Sequence, residues 1–127
     1  MKKEILITGG AGYIGTTLIP ELLVKGYNVT VYDSLSYEGD ILIPYFANPN
    51  FKFIKGDILE KDKLQKAVKG KDVIIHLAAL VGYAACEKNH DMTQLVNCDA
   101  TDSLVEMLSP IQHHYMLKLK HMLRKRP

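Results

Sequence analysis

The sequence predicts an α/β fold: a Rossmann-type doubly wound parallel sheet of about four strands, in the order 3-2-1-4, with flanking helices. Three observations carry that expectation. The apolar run Ile5, Leu6, Ile7 breaks into a glycine-rich turn and then reopens as a helical pattern. Strand-like and helix-like segments then alternate along the chain, as right-handed crossovers within a parallel sheet require. Residues 72–77, Asp-Val-Ile-Ile-His-Leu, form a nearly unbroken apolar run, the pattern of a parallel strand covered on both faces.

Taken in order, residues 4–8 read as the first strand, and Gly9, Gly12 and Gly15 spell G-x-x-G-x-x-G behind Thr8. Each glycine serves a physical purpose, the first turning out of the strand, the second letting a pyrophosphate approach the backbone, and the third letting the following helix pack closely. That helix, with Tyr13 and Ile14 in its first turn, spans residues 13–25 and is capped by Gly26. The free N–H groups at its start, together with its dipole, favour an anion. Residues 27–32 are rich in β-branched and aromatic side chains and read as a second strand ending at Asp33. Residues 34–50 hold Gly39, Pro44 and Pro49 without a sustained period, so they read as a loop with one helical turn near 42–46. A short third strand, 51–55, stops at Gly56-Asp57. Ile58, Leu59, Leu64, Ala67 and Val68 recur at helical spacing up to Gly70. After the fourth strand, residues 78–89 read as a small-residue loop and 91–108 as a long helix stopped by Ser109-Pro110.

A chain of 127 residues supports one core. No run of eighteen apolar residues occurs, which excludes a predicted helical membrane span. Lys2 and Lys3 lead straight into the first strand rather than into a cleavable signal peptide, and the expectation is a cytoplasmic protein. Cys86 and Cys98 lack metal-type spacing and are expected as reduced thiols, while His90, His113, His114 and His121 assemble no metal set. Charge divides the chain in two. Residues 1–109 hold eleven Lys and Arg against fourteen Asp and Glu, and 110–127 hold five basic residues and no acid. The expected organisation is a nucleotide-binding domain over 1–109 and a basic amphipathic helix over 110–127, with Ile111, Tyr115, Leu119 and Met122 along one face. Packing of this helix on the sheet or on another copy is favoured over nucleic-acid or membrane contact, because only this short segment is basic.

Asp33 lies eighteen residues beyond Gly15, near the spacing at which an acid binds a ribose diol. A carboxylate accepts two hydroxyl hydrogen bonds and repels a 2′-phosphate, which favours NAD over NADP. His76, inside an apolar strand, reads as a satisfied core histidine, and Tyr83 as a surface tyrosine.

The residues 8–15 turn, then Asp33, Gly56-Asp57-Ile58, His76-Leu77-Ala78-Ala79 and Asn97-Cys98-Asp99-Ala100-Thr101 together resemble the extended short-chain dehydrogenase/reductases, and within them the NAD-dependent nucleotide-sugar epimerases and dehydratases. The resemblance covers residues 3 to about 108 and implies an NAD-binding part. It adds Asp57 and Ile58 flanking the adenine, Leu77, Ala78 and Ala79 lining the cofactor beyond the fourth strand, and Asn97 on the next helix. With Gly9, Gly12, Tyr13, Ile14, Gly15 and Asp33 these complete the expected cofactor site. The family also carries a Tyr-x-x-x-Lys pair and a sugar-binding C-terminal domain. Here Tyr115 is followed by Lys118 at i+3 and by Leu119 at i+4, so the pair is not formed and no catalytic residue is assigned. The chain is therefore expected to be complete for NAD and inactive alone, taking a nucleotide sugar only where a catalytic half is supplied. The alternative is a non-catalytic nucleotide-binding or scaffold protein. In either case a homodimer or other partner is expected to cover a sheet that ends after four strands.

Overall fold

Strand β1 (Glu4–Thr8) sits at the centre of the sheet, since Ile5, Leu6 and Ile7 are buried and both of its edges are paired. The computed structural model describes residues 2–36, 39–79, 87–88, 90–108 and, for the backbone alone, 116–118. From β1 the chain runs through helix α1 (Tyr13–Val24), strand β2 (Asn28–Asp33), a 3-10 turn (Asp40–Tyr45), strand β3 (Phe51–Lys55), helix α2 (Lys61–Val68) and strand β4 (Val73–His76). Helix α3 (His90–Gln94), a π-helical turn (Leu95–Asp99) and helix α4 (Ala100–Met107) follow as one succession, before strand β5 (Met116–Lys118). All pairings are parallel and the strand order is β3-β2-β1-β4-β5.

The order 3-2-1-4 is as the sequence predicts, and the alternation of side chains builds a core on each face. On one face Ile5, Ile7, Val29, Val31 and Ile75 pack with Ile19 and Leu23 of α1. On the other, Leu6, Tyr32 and Ile74 meet Leu64 and Val68 of α2 and Leu104 of α4.

Two features differ from expectation. Residues 116–118 form a strand within the expected helix 110–127, and the sheet gains a fifth strand rather than ending at four. The physical reason lies in β4: with its other edge on β1, its outer N–H and C=O groups need partners, and pairing Ile74, Ile75 and His76 with Met116, Leu117 and Lys118 supplies them. The β4 edge, expected to need a partner, is thus paired within the chain. The rest of the 110–127 segment, with Tyr115, His113, His114 and His121, lies outside the described residues, as do Tyr83 and Cys86. The second difference is the π-helical turn inside the expected helix 91–108. There the Ala100 N–H reaches back to the Leu95 carbonyl, and the Thr101 hydroxyl donates to the Asn97 carbonyl at 3.1 Å, a side-chain bond that competes with the regular ladder.

No helix among the described residues is long and apolar enough to cross a membrane. Leu6 is fully buried at the centre of the sheet. Leu6→Ala should therefore cost about 2–5 kcal/mol in chemical denaturation, with the midpoint lowered and the slope unchanged.

Candidate nucleotide-binding site

The site residues gather where β1, β2, β3 and β4 end, because parallel strands deliver all their C-terminal loops to one edge. At Thr8 the chain leaves the sheet through Gly9, whose φ of +70° and whose N–H bond to the Tyr32 carbonyl at 2.8 Å make the turn. A Cβ on Gly9 would meet the Ala78 nitrogen at 2.5 Å, so the glycine turn and the loop after β4 touch backbone to backbone. Gly15 is constrained as tightly, since a Cβ there would strike the Gly10 carbonyl. Gly12 is different: its φ is −92°, and a Cβ would meet only the Gly9 carbonyl oxygen, at an ordinary 3.6 Å. Nothing within the described protein demands glycine at this position.

Gly12 is also the N-cap of α1, and it provides no side-chain hydrogen bond to the helix; nor does the first turn carry an acid. The orphan N–H groups of that turn, on Tyr13, Ile14 and Gly15, find no acceptor among the described residues, and with the positive end of the dipole they are open to an external one. Tyr13 is 98% exposed beside them and Ile14 is exposed as well.

Asp33, at the end of β2, is tied to this turn. One carboxylate oxygen accepts the Ala11 N–H at 3.0 Å and the other accepts the Leu35 N–H at 2.8 Å. Each oxygen retains acceptor capacity for a hydroxyl, and the clamp aims the carboxylate across the mouth of the turn. The end of β3 adjoins it, through the Gly56 N–H to the Asp33 carbonyl at 3.1 Å. Beyond lies exposed Asp57, whose Oδ1 accepts the Leu59 N–H at 2.9 Å. Ile58, in contrast, is buried in the core against α2, so what it offers a ligand is backbone.

Past β4, Leu77, Ala78 and Ala79 are half-buried, with Leu77 packed towards α1 and Ala78 towards the opposite core. Half-buried Asn97 lies in the π-helical turn, and its carbonyl accepts the Thr101 hydroxyl. His76 links these parts and is a core histidine as expected, 1% exposed. Because the Thr101 proton goes to Asn97, His76 Nε2 donates to the Thr101 oxygen at 3.1 Å, and Nδ1 meets the Thr8 hydroxyl at 2.5 Å.

Sequence reasoning missed Tyr32. In the sequence it reads as a strand former, yet its fully buried side chain donates its hydroxyl proton to the Asp57 carbonyl at 2.7 Å. Burial, then the charges of Glu60 and Asp57, push its phenol up to about 12 from 10.0. No local signal marks this bond, because its partners lie 25 positions apart.

A glycine turn opening an uncapped helix, next to an acid-terminated strand on a 3-2-1-4 parallel sheet, defines a Rossmann-type nucleotide-binding fold. Comparison with known proteins narrows the class. The chain belongs to the NAD dependent epimerase/dehydratase family, whose model matches residues 5–119. It is 36% identical over 107 residues to the UDP-N-acetyl-alpha-D-glucosaminuronate decarboxylase of Bacillus cytotoxicus, covering 84% of this chain and 33% of that protein. To the dTDP-glucose 4,6-dehydratase of Streptomyces niveus it is 40% identical over 84 residues, covering 60% of this chain and 25% of that one. Among solved structures, DesIV, a dTDP-glucose 4,6-dehydratase from Streptomyces venezuelae with NAD bound, superimposes with a TM-score of 0.75 at 31% identity, over 82% of this chain and 35% of that one. The UDP-glucose 4-epimerase from Brucella ovis in complex with NAD gives 0.71 at 27% identity, over 83% and 31% respectively. The chain thus spans from a quarter to just over a third of the length of these relatives.

Two outcomes follow from the geometry. Gly9→Ala, strained in φ and driven into Ala78, should cost about 2–4 kcal/mol in denaturant melts, whereas Gly12→Ala should stay within about 1 kcal/mol of the parent. The folded state holds the Tyr32 proton to about pH 12, while an unfolded tyrosine gives it up from 10.0. Its contribution to stability is therefore complete below pH 10 and lost as the pH rises towards 12; an ultraviolet phenolate titration should show one tyrosine ionising late and with unfolding.

Proposed function

We propose that this chain binds NAD across the C-terminal ends of β1 to β4. The pyrophosphate lies on the turn from Gly9 to Gly15, against the first-turn N–H groups of Tyr13, Ile14 and Gly15. The adenosine ribose presents its diol to Asp33, the adenine lies against Asp57 and the backbone of Ile58, and the nicotinamide half extends past Leu77, Ala78 and Ala79 towards Asn97. The observation that carries this reading is the α1 N-terminus: an uncapped, acid-free first turn behind a glycine that no contact among the described residues demands, with the Asp33 carboxylate clamped 3.0 Å from the Ala11 nitrogen beside it. The NAD complexes of DesIV and of the Brucella ovis epimerase support it.

NAD supplies hydride acceptance when bound; the residues here bind and orient it, and Asp33 repels a 2′-phosphate. The contribution of this segment is cofactor binding. No proton-transfer role is proposed for Tyr115, since Leu119 stands at the position where a lysine would follow it.

Thermal melts with added dinucleotides test the reading. Saturating NAD, at about one hundred times Kd, should stabilise the chain by about 2.7 kcal/mol and raise Tm by several degrees, with NADP about tenfold weaker. Asp33→Asn should narrow that gap, and an unchanged Tm at millimolar NAD would overturn the assignment.

A further inference from the structure

The covalent order of a dinucleotide imposes an order on the strands that hold it. If the turn after β1 takes the pyrophosphate and Asp33 at the end of β2 takes the ribose, the base continues outward to the end of β3. That position is the turn at residues 56–60. Asp57 is exposed there, and its Oδ2 has no hydrogen-bond partner among the described residues, leaving an acceptor for a base that carries an exocyclic amine.

The shape and the placement of this turn are set by different bonds. Its shape is local: the Asp57 N–H donates to Glu60 Oε1 at 2.9 Å, the Leu59 N–H to Asp57 Oδ1 at 2.9 Å and the Glu60 N–H to the Asp57 carbonyl at 3.0 Å. Its placement relative to Asp33 comes from two longer-range bonds: the Gly56 N–H to the Asp33 carbonyl at 3.1 Å, and the Tyr32 hydroxyl to the Asp57 carbonyl at 2.7 Å. The residue that holds the base-side turn is thus the immediate neighbour of the one that faces the ribose. Gly56 is matched to it, because a Cβ there would meet Tyr32 Cζ at 2.5 Å. Burial keeps water from competing for the hydroxyl, and the phenol stays a donor through the neutral and moderately alkaline range.

We propose that Tyr32 is the positioning residue that sets base selectivity in this site: its hydroxyl holds the Asp57 turn at the separation from Asp33 at which the Asp57 carboxylate meets the exocyclic amine of adenine. The inference rests on the reading that NAD occupies the site in the order given above. Tyr32 touches no ligand; it acts through Asp57.

Calorimetric titration of the full chain with NAD and with nicotinamide hypoxanthine dinucleotide, in which a carbonyl replaces the amine, tests it. The unsubstituted chain should prefer NAD by about tenfold, as one hydrogen bond to a charged acceptor gives. Tyr32→Phe keeps the ring and should weaken NAD about five- to tenfold while leaving the hypoxanthine analogue within about twofold, so that the preference disappears. A merely structural role would weaken both ligands together; a preserved preference, with or without a general loss of affinity, overturns the proposal. Equal affinity of the unsubstituted chain for both dinucleotides overturns it while leaving NAD binding intact, whereas failure to bind either removes the NAD reading as well. Should Tyr32→Phe not fold, NMR of the unsubstituted chain decides: an exchange-protected Tyr32 hydroxyl proton that shifts on adding AMP supports the proposal, and one that exchanges freely or stays unmoved overturns it.

Discussion

The candidate site hangs from one row across the sheet, the register in which Thr8 lies between Tyr32 on β2 and His76 on β4. Residues paired in register on parallel strands share a face, so all three side chains point to the side covered by α2 and α4. Each is buried, and each ends in a polar atom that requires a partner. Tyr32 finds it in the loop after β3, and His76 in Thr101 of α4 on one side and Thr8 on the other. This layer of buried polar groups thereby fixes the loops at the open end of the sheet, while in the rows below Leu6 packs with Ile74 and Ile5 with Val29, and buried Thr30 is the polar member, bonded to Lys71.

The same row explains why the crevice opens where it does. β1 pairs β2 on one side and β4 on the other, so the loops after them diverge to opposite halves of the molecule. Gly9 closes the gap at the bottom by its backbone approach to Ala78, and Asp33 closes it at the side by holding Ala11. Between these anchors the N–H groups at the start of α1 remain uncapped. Rigid anchors on either side of unsatisfied donors are what a preorganised anion cradle requires.

Elements whose identity is local were legible in the sequence. The strands 4–8, 28–33, 51–55 and 73–76 and the helices 13–24 and 61–68 follow from β-branched runs, glycine punctuation and helical spacing, and their ends fall within a few residues of expectation. His76 was legible too, because a histidine in an unbroken apolar strand has little choice but to be buried and bonded. What was not legible depends on partners distant along the chain. Residues 116–118 carry a helical pattern of apolar and basic side chains, and only the unpaired edge of β4, some forty positions away, makes them a strand. The π-helical turn depends on Thr101 bonding back to Asn97, a competition that spacing does not reveal. Tyr32 and Gly56 each had a sufficient local explanation, as a strand former and as a strand stop, and that hid their complementarity.

The glycine motif shows how protein demands and ligand demands separate within one short segment. Sequence spacing alone gives Gly9, Gly12 and Gly15 equal standing. In the fold, Gly9 is required by Ala78 and by its own backbone angle, and Gly15 by Gly10, so both would be selected for folding even in the absence of any ligand. Gly12 has ordinary space around it and ordinary dihedrals, and as an N-cap it forgoes the side-chain bond that serine, threonine or aspartate would give. Its cost to helix stability is offset by nothing in the described protein. A glycine N-cap that leaves its helix's donors uncovered suits the proposed dinucleotide site, in which the N–H groups that follow Gly12 would face the pyrophosphate.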